Sequence, residues 1–203
     1  MSTYLPTSDA IARRYTASTL DQKIQNKTAL QEEFGWPAEP KRPMVCLPAG
    51  MTDALGGKLL EEVLPGILAL DLQILILGKG SAAYGTVFTK LENERKHRIH
   101  IMPDEEAAHL AMYAAADISL FLADPASLKE LTHCLTFGVV PIAPASKALE
   151  EYDPIQENGF AFIYEPTNVW TCYGAVVRAL ETYRFPFDWR TIQRHCMESI
   201  RTK

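Results

Sequence analysis

No apolar run in the 203-residue chain approaches the roughly 18 residues that a membrane span needs. The N-terminus is polar and has no signal-peptide core. Cysteine is scarce. Cys46, Cys134, Cys172 and Cys196 are widely spaced and form no C-x-x-C pair. That argues against a metal cluster and for buried free thiols in a reducing compartment. These absences together predict a cytoplasmic protein with no membrane partner, no metal and no cofactor. Basic charge is also short. The chain has 20 Lys and Arg against 25 Asp and Glu, a net charge of −5. There is no broad basic field for nucleic acid. The one basic cluster is Lys90, Arg95, Lys96, His97, Arg98 and His100. It suits a helix C-terminus, where cations complement the dipole, better than a polyanion site.

What is present is a regular α/β period. Apolar residues make up 47% of the chain, enough for one domain with a full core. Residues 1–19 read as a surface lead-in and residues 20–203 as the domain. Asp21–Phe34 reads as a helix with Ile24, Leu30 and Phe34 inward and Gly35 as its stop. Pro37–Pro43 is a connector. Met44–Leu47, Leu72–Leu77, Ile99–Met102, Ile118–Leu122, Val139–Ile142 and Gly159–Ile163 read as strands. Leu59, Leu60, Val63, Leu64, Ile67 and Leu68 recur at helix spacing. Helices are expected at Ala82–Asn93, from Asp104 and at Ser127–Phe137. Two more are expected, capped by Thr167 and by Asp188. Continuous apolar strands alternating with helices predict a single Rossmann-like, doubly wound domain with a mainly parallel sheet of about six strands. Such sheets bind ligands beyond the carboxyl ends of their strands.

The order of several motifs carries a family resemblance. Arg14-Tyr15-Thr16-Ala17, Leu60-Glu-Glu-Val-Leu-Pro-Gly66, Gln73-Ile-Leu-Ile-Leu-Gly78, Tyr113-Ala-Ala-Ala-Asp117 and Phe137-Gly-Val-Val-Pro-Ile142 form its first part. Asn158-Gly-Phe-Ala-Phe162, Asn168-Val-Trp170, Trp189, Gln193-Arg194 and Met197 close it. The set resembles the C-terminal, nucleotide-sugar-binding domain of bacterial glycogen synthases and plant starch synthases. These are retaining GT-B glycosyltransferases of family 5 that use ADP-glucose or UDP-glucose. The resemblance implies one half of a GT-B fold and a nucleotide or nucleotide-sugar ligand.

The departures fall at the chemistry. The family's first turn, S-R-L-x-x-x-K-G, uses its Arg and Lys on the donor phosphates. Here Gly50 stands for the Arg and Leu55 for the Lys, and no Arg or Lys occurs between Met44 and Gly57. The family's E-P-C-G-L-T-Q loop appears as Ala123-Asp-Pro-Ala-Ser-Leu-Lys129, one residue shorter. Asp124 is the only carboxylate near the Glu position. The family's His-Arg pair appears as Leu110-Ala111, with His109 adjacent. The chain also ends soon after Met197, before the family's last helix.

Each candidate has a plainer alternative. Gly50, Thr52, Gly56 and Gly57 are expected to line a phosphate, or only to form the turn. The Gly78-Lys79-Gly80 turn offers Lys79 as a point charge for a phosphate, or as a solvated loop residue. Ser127 and Lys129 form an anion site, or Ser127 is a helix cap. Asp124 is a weak catalytic candidate beside ordinary Asp-Pro turn chemistry. His109 and His133 read as packing histidines, and Tyr113, Trp170, Tyr173, Trp189 and the Phe residues as core. The expectation is a domain that transfers no glucose alone and binds ADP, UDP or a nucleotide-sugar weakly. It would otherwise serve as a donor half completed by a partner chain, or as an interaction domain and homodimer using the cleft face.

Overall fold

A computed structural model describes residues 4–200; residues 1–3 of the lead-in and the terminal 201–203 lie outside it. Six parallel strands form one sheet: β1 (Met44–Leu47), β2 (Gln73–Leu77), β3 (Ile99–Met102), β4 (Ile118–Leu120), β5 (Val140–Pro144) and β6 (Phe162–Tyr164). Their order is β3-β2-β1-β4-β5-β6. β1 runs parallel to β2 with Val45 opposite Ile74, and to β4 with Val45 opposite Ile118. Every residue of β1, β2, β4 and β5 is buried, as expected for strands covered on both faces.

The helices are α1 (Lys23–Glu33), α2 (Gly57–Ala69), α3 (Ala82–Glu94), α4 (Glu106–Ala115), α5 (Lys129–Thr136), α6 (Val169–Tyr183) and α7 (Pro186–Ser199). α2 packs on α6, α1 on α4 and α7 on α5. α2 buries Leu60, Val63, Leu64 and Ile67, the stripe its spacing predicts. The fold is a Rossmann-like doubly wound domain. The order reverses between β1 and β4, which is where such sheets open a ligand crevice at their carboxyl edge.

Several local expectations are corrected. α6 is capped by Asn168, whose side chain accepts from Trp170 N and Thr171 N, not by Thr167. α7 starts at Pro186, whose missing N–H suits a first turn, and Asp188 lies inside that turn. α5 is preceded by Leu128, so Ser127 is exposed and caps nothing. Of the basic cluster, Arg98 reaches a helix C-terminus. The helix is α2, however, through the carbonyls of Leu70 and Leu72. The lead-in is not all surface: Ile11 and Tyr15 are buried, and the Tyr15 hydroxyl donates to Phe137 O at 2.8 Å.

The largest correction is α1. Ile24 is 43% exposed, Phe34 is half-buried, and the helix turns Lys23, Asn26, Lys27 and Gln31 inward beside Leu30. These polar groups are satisfied. Lys27 Nζ lies 2.6 Å from Asp117 Oδ2 and donates to Pro40 O, Arg42 O and the Tyr183 hydroxyl. Lys23 Nζ donates to Tyr113 O and Ala114 O, in the last turn of α4, and to the Tyr15 hydroxyl. A cation there meets the negative end of the α4 dipole. Asp117 Oδ2 also accepts from Met44 N, which ties the pair to the start of β1.

Candidate functional site

The carboxyl edge brings the predicted turns together, but it does so by joining them to each other. β1 leads through Gly50 and Met51 into a short 3-10 turn, Asp53–Leu55, and then α2. Met51 bridges Gly80 in parallel, with Met51 N donating to Lys79 O and Ser81 N to Met51 O, both at 3.0 Å. A Cβ on Gly50 would lie 2.1 Å from Lys79 O, and one on Gly80 would lie 2.0 Å from Met51 O. Both glycines have left-handed φ, +71° and +123°. Here glycine is required for the backbones to touch. Gly78 likewise lets β2 approach Met102 O.

The start of α2 is covered. Tyr84, from α3, lies over Gly57, where a Cβ would meet its ring at 2.2 Å. The Tyr84 hydroxyl donates to Asp53 Oδ1 at 2.6 Å, and that bond pushes its pKa up to about 12. Thr52 is used as a cap: its Oγ1 accepts from Leu55 N and its carbonyl from Gly57 N. Gly56 (φ +87°) packs its backbone against Leu122. The cavity left at the switch point is about 10 Å³, no more than one water, and is walled by Ala49, Gly50, Leu55, Leu122 and Leu128.

The charged candidates are partly engaged. Lys79 Nζ sits 3.7 Å from Glu130 Oε1, a carboxylate only 8% exposed. Lys129 is exposed at the start of α5. Asp124 forms an Asx turn, its Oδ1 accepting from Ala126 N at 3.0 Å. Hydrogen bonds from Ser146 first, then from Ala126, hold its pKa below the usual carboxylate value. His109 and His133 meet in an aromatic cluster: Tyr4 stacks on His133 at 4.2 Å and bonds His109, which also bonds Asp104. Tyr113 and Trp189 are core, but Trp170, Phe185 and Phe187 are 83%, 60% and 79% exposed, so the reading of these three as core is corrected. Trp170 and Phe187 occupy solvent-facing positions in the first turns of α6 and α7.

Sequence reading missed Tyr84 and Glu130, because their roles depend on partners across loops. The described residues contain no His, Cys, Asp and Glu group able to hold a metal, and no helix long and apolar enough to cross a membrane. All four cysteines are buried and free.

No family model matches the chain. It is 32% identical to a glycogen synthase of Bacillus cytotoxicus, over 97% of the chain and 42% of that protein. It is 29% identical to glycogen synthase 1 of Synechocystis, over 97% of the chain and 43% of that protein. The chain matches the C-terminal domain of glycogen and starch synthases. Its fold agrees with the catalytic domain of starch synthase IV from Arabidopsis thaliana bound to ADP and acarbose, at TM-score 0.85 and 21% identity, over 96% of the chain and 43% of that structure. This synthase-like domain is thus one half of a GT-B fold, and it spans under half the length of the relatives it matches.

Proposed function

We propose that this synthase-like domain retains the scaffold of a nucleotide-sugar site without the charges that drive transfer. By itself it moves no glucose and binds ADP or UDP weakly. The observation that carries the reading is the zipped edge. The Met51–Gly80 bridge takes up backbone groups of the first turn, and the Tyr84 ring, held by its bond to the Asp53 side chain, covers the start of α2, where a diphosphate would rest. A carboxylate, Asp53, already stands beside the start of α2, where a phosphate would otherwise be favoured.

The energetics support the same conclusion. A departing diphosphate needs fixed positive charge, and removing one such stabilising group costs about 2.7–4 kcal/mol. Replacing both an Arg and a Lys, as Gly50 and Leu55 do relative to the family turn, costs on the order of 5 kcal/mol or more. That is a factor of several thousand in rate. Lys79 and Lys129 are the remaining basic groups among the candidate residues, and Lys79 faces Glu130. ADP is the first nucleotide to test, since the starch synthase structure holds it.

The test is turnover of ADP-glucose and UDP-glucose with a glucan acceptor, with calorimetry of ADP and UDP alongside. We expect no turnover and a Kd no tighter than about 1 mM. Measurable transfer, or micromolar ADP binding, overturns the reading. Leu55 and Leu128, both partly exposed beside this edge, favour a second use of the face: contact with another copy of the chain. Sedimentation across the micromolar range should then give a dimer mass; a monomer throughout refutes it.

A further inference from the structure

A larger cavity, about 650 Å³, lies at the opposite pole, beside the amino ends of β1 and β4. That volume lies in the range of small-ligand sites. Its apolar wall includes Leu20, Ile24, Pro186 and Trp189, with Ile24 43% exposed. The indole Nε1 of Trp189 is buried without an acceptor among the described residues. Around these stand five cations, Lys23, Lys27, Lys41, Arg184 and Arg190, against two carboxylates, Asp21 and Asp117.

The charges do not cancel locally. Asp117 is committed to Lys27 at 2.6 Å, with side chains 2% and 9% exposed. Lys23 is buried, and its hydrogen-bond partners among the described residues are all neutral oxygens. The Tyr15 hydroxyl gives its own proton to Phe137 O, so its oxygen accepts from Lys23. Three acceptors therefore face Nζ, which matches the three protons of an ammonium. Burial opposes that charge and, offset only in part by Asp117, draws the Lys23 pKa down to about 7. A nearby anion would relieve the penalty. Lys41 is exposed and has no partner among the described residues. Among the described residues Arg184 has one ion pair, an exposed one with Glu181, and Arg190 lies over the Phe187 ring with its Nε donating to Pro186 O.

We propose that this cavity is a binding site for a small organic anion with an apolar or planar body. The body would lie on Ile24, Pro186 and Trp189, and the acidic group would face Lys41, Arg184 and Arg190. The site is a strand's length from the zipped edge and does not rest on the nucleotide reading. Its ligand would bias Asp117, which fixes the start of β1, the strand that carries the Gly50 turn.

The test uses the whole chain and two fluorescent probes of the same shape, 8-anilinonaphthalene-1-sulfonate and its uncharged relative N-phenyl-1-naphthylamine. The expected result is one sulfonate probe per chain, saturable, and bound at least about tenfold more tightly than the neutral one. Lys41→Glu should weaken it several-fold, and Lys41→Glu with Arg190→Glu at least about tenfold. Lys147→Glu, the same charge change at the other pole, should leave it unaltered. Lys41, Arg190 and Lys147 are all exposed, so circular dichroism should show native folds. The proposal fails on any of three results: no saturable binding, equal affinity for both probes, or affinity unmoved by the Lys41 and Arg190 changes.

Discussion

Replacing Gly50 tests whether the zipped edge is structure or merely a lost active site. The family's turn has Arg at this position, so Gly50→Arg looks like a simple restoration. The geometry predicts otherwise. Any side chain at 50 must adopt φ near +71° and enter space 2.1 Å from Lys79 O. The left-handed backbone costs about 1–2 kcal/mol. To make room, the loops must part and lose the Met51 N–Lys79 O and Ser81 N–Met51 O bonds, about 1 kcal/mol each. Gly50→Ala and Gly50→Arg should each lose about 3–4 kcal/mol in urea unfolding with unchanged slope, or roughly 10 °C in Tm. Neither should transfer glucose. Gly85→Ala and Gly174→Ala are the controls, since both lie within helices with nothing within 4 Å of the new Cβ. They should gain about 0.5–1 kcal/mol. If Gly50→Ala costs under about 0.5 kcal/mol, the backbone contact does not hold the edge and the reasoning is wrong.

Other outcomes follow from the opposite pole. Asp117→Ala strands a buried lysine and should cost about 3–5 kcal/mol, whereas Lys27→Met with Asp117→Asn should cost far less; urea unfolding of both separates charge pairing from packing. Stability should depend on pH with a definite sign. The Lys23 pKa falls from 10.5 unfolded to about 7 folded, so the unfolded chain binds more protons between those values and stability rises as pH climbs above 7. Above about 9 the buried thiols of Cys46, Cys172 and Cys196, all raised by burial, reverse the slope, because the unfolded chain then releases protons that the folded chain keeps. Unfolding curves from pH 6.5 to 10 should show this maximum, and Lys23→Met should remove its rising limb. Retention of that limb in Lys23→Met assigns it to another group.

The sheet was legible because its signal is local. Runs such as Gln73–Leu77 are apolar throughout, and the α2 stripe repeats within one helix. Cap positions were legible only to within a residue or two, as with Asn168 beside Thr167. The interior of α1 was not legible. Lysine and glutamine normally mark solvent, and the carbonyls that satisfy Lys23 lie about 90 residues away. One clue was available: Lys23, Lys27 and Gln31 recur every four residues as a stripe of their own. The glycine turns read equally as a phosphate cradle or as plain turns, because the contacts that close this edge, Gly50 with Lys79 and Tyr84 with Asp53, appear only when two crossovers meet.

Tyr15 also sets where the domain can be cut. Its ring is sealed in the core, and its hydroxyl holds the peptide just before Gly138. Arg13 and Asn26 exchange two further bonds across the same seam. Trimming the chain at residue 20 would tear out this stitch and leave Lys23 one oxygen short in a dry interior. The smallest autonomous unit therefore reaches upstream of Ile11, and a shorter fragment should emerge insoluble or half-melted.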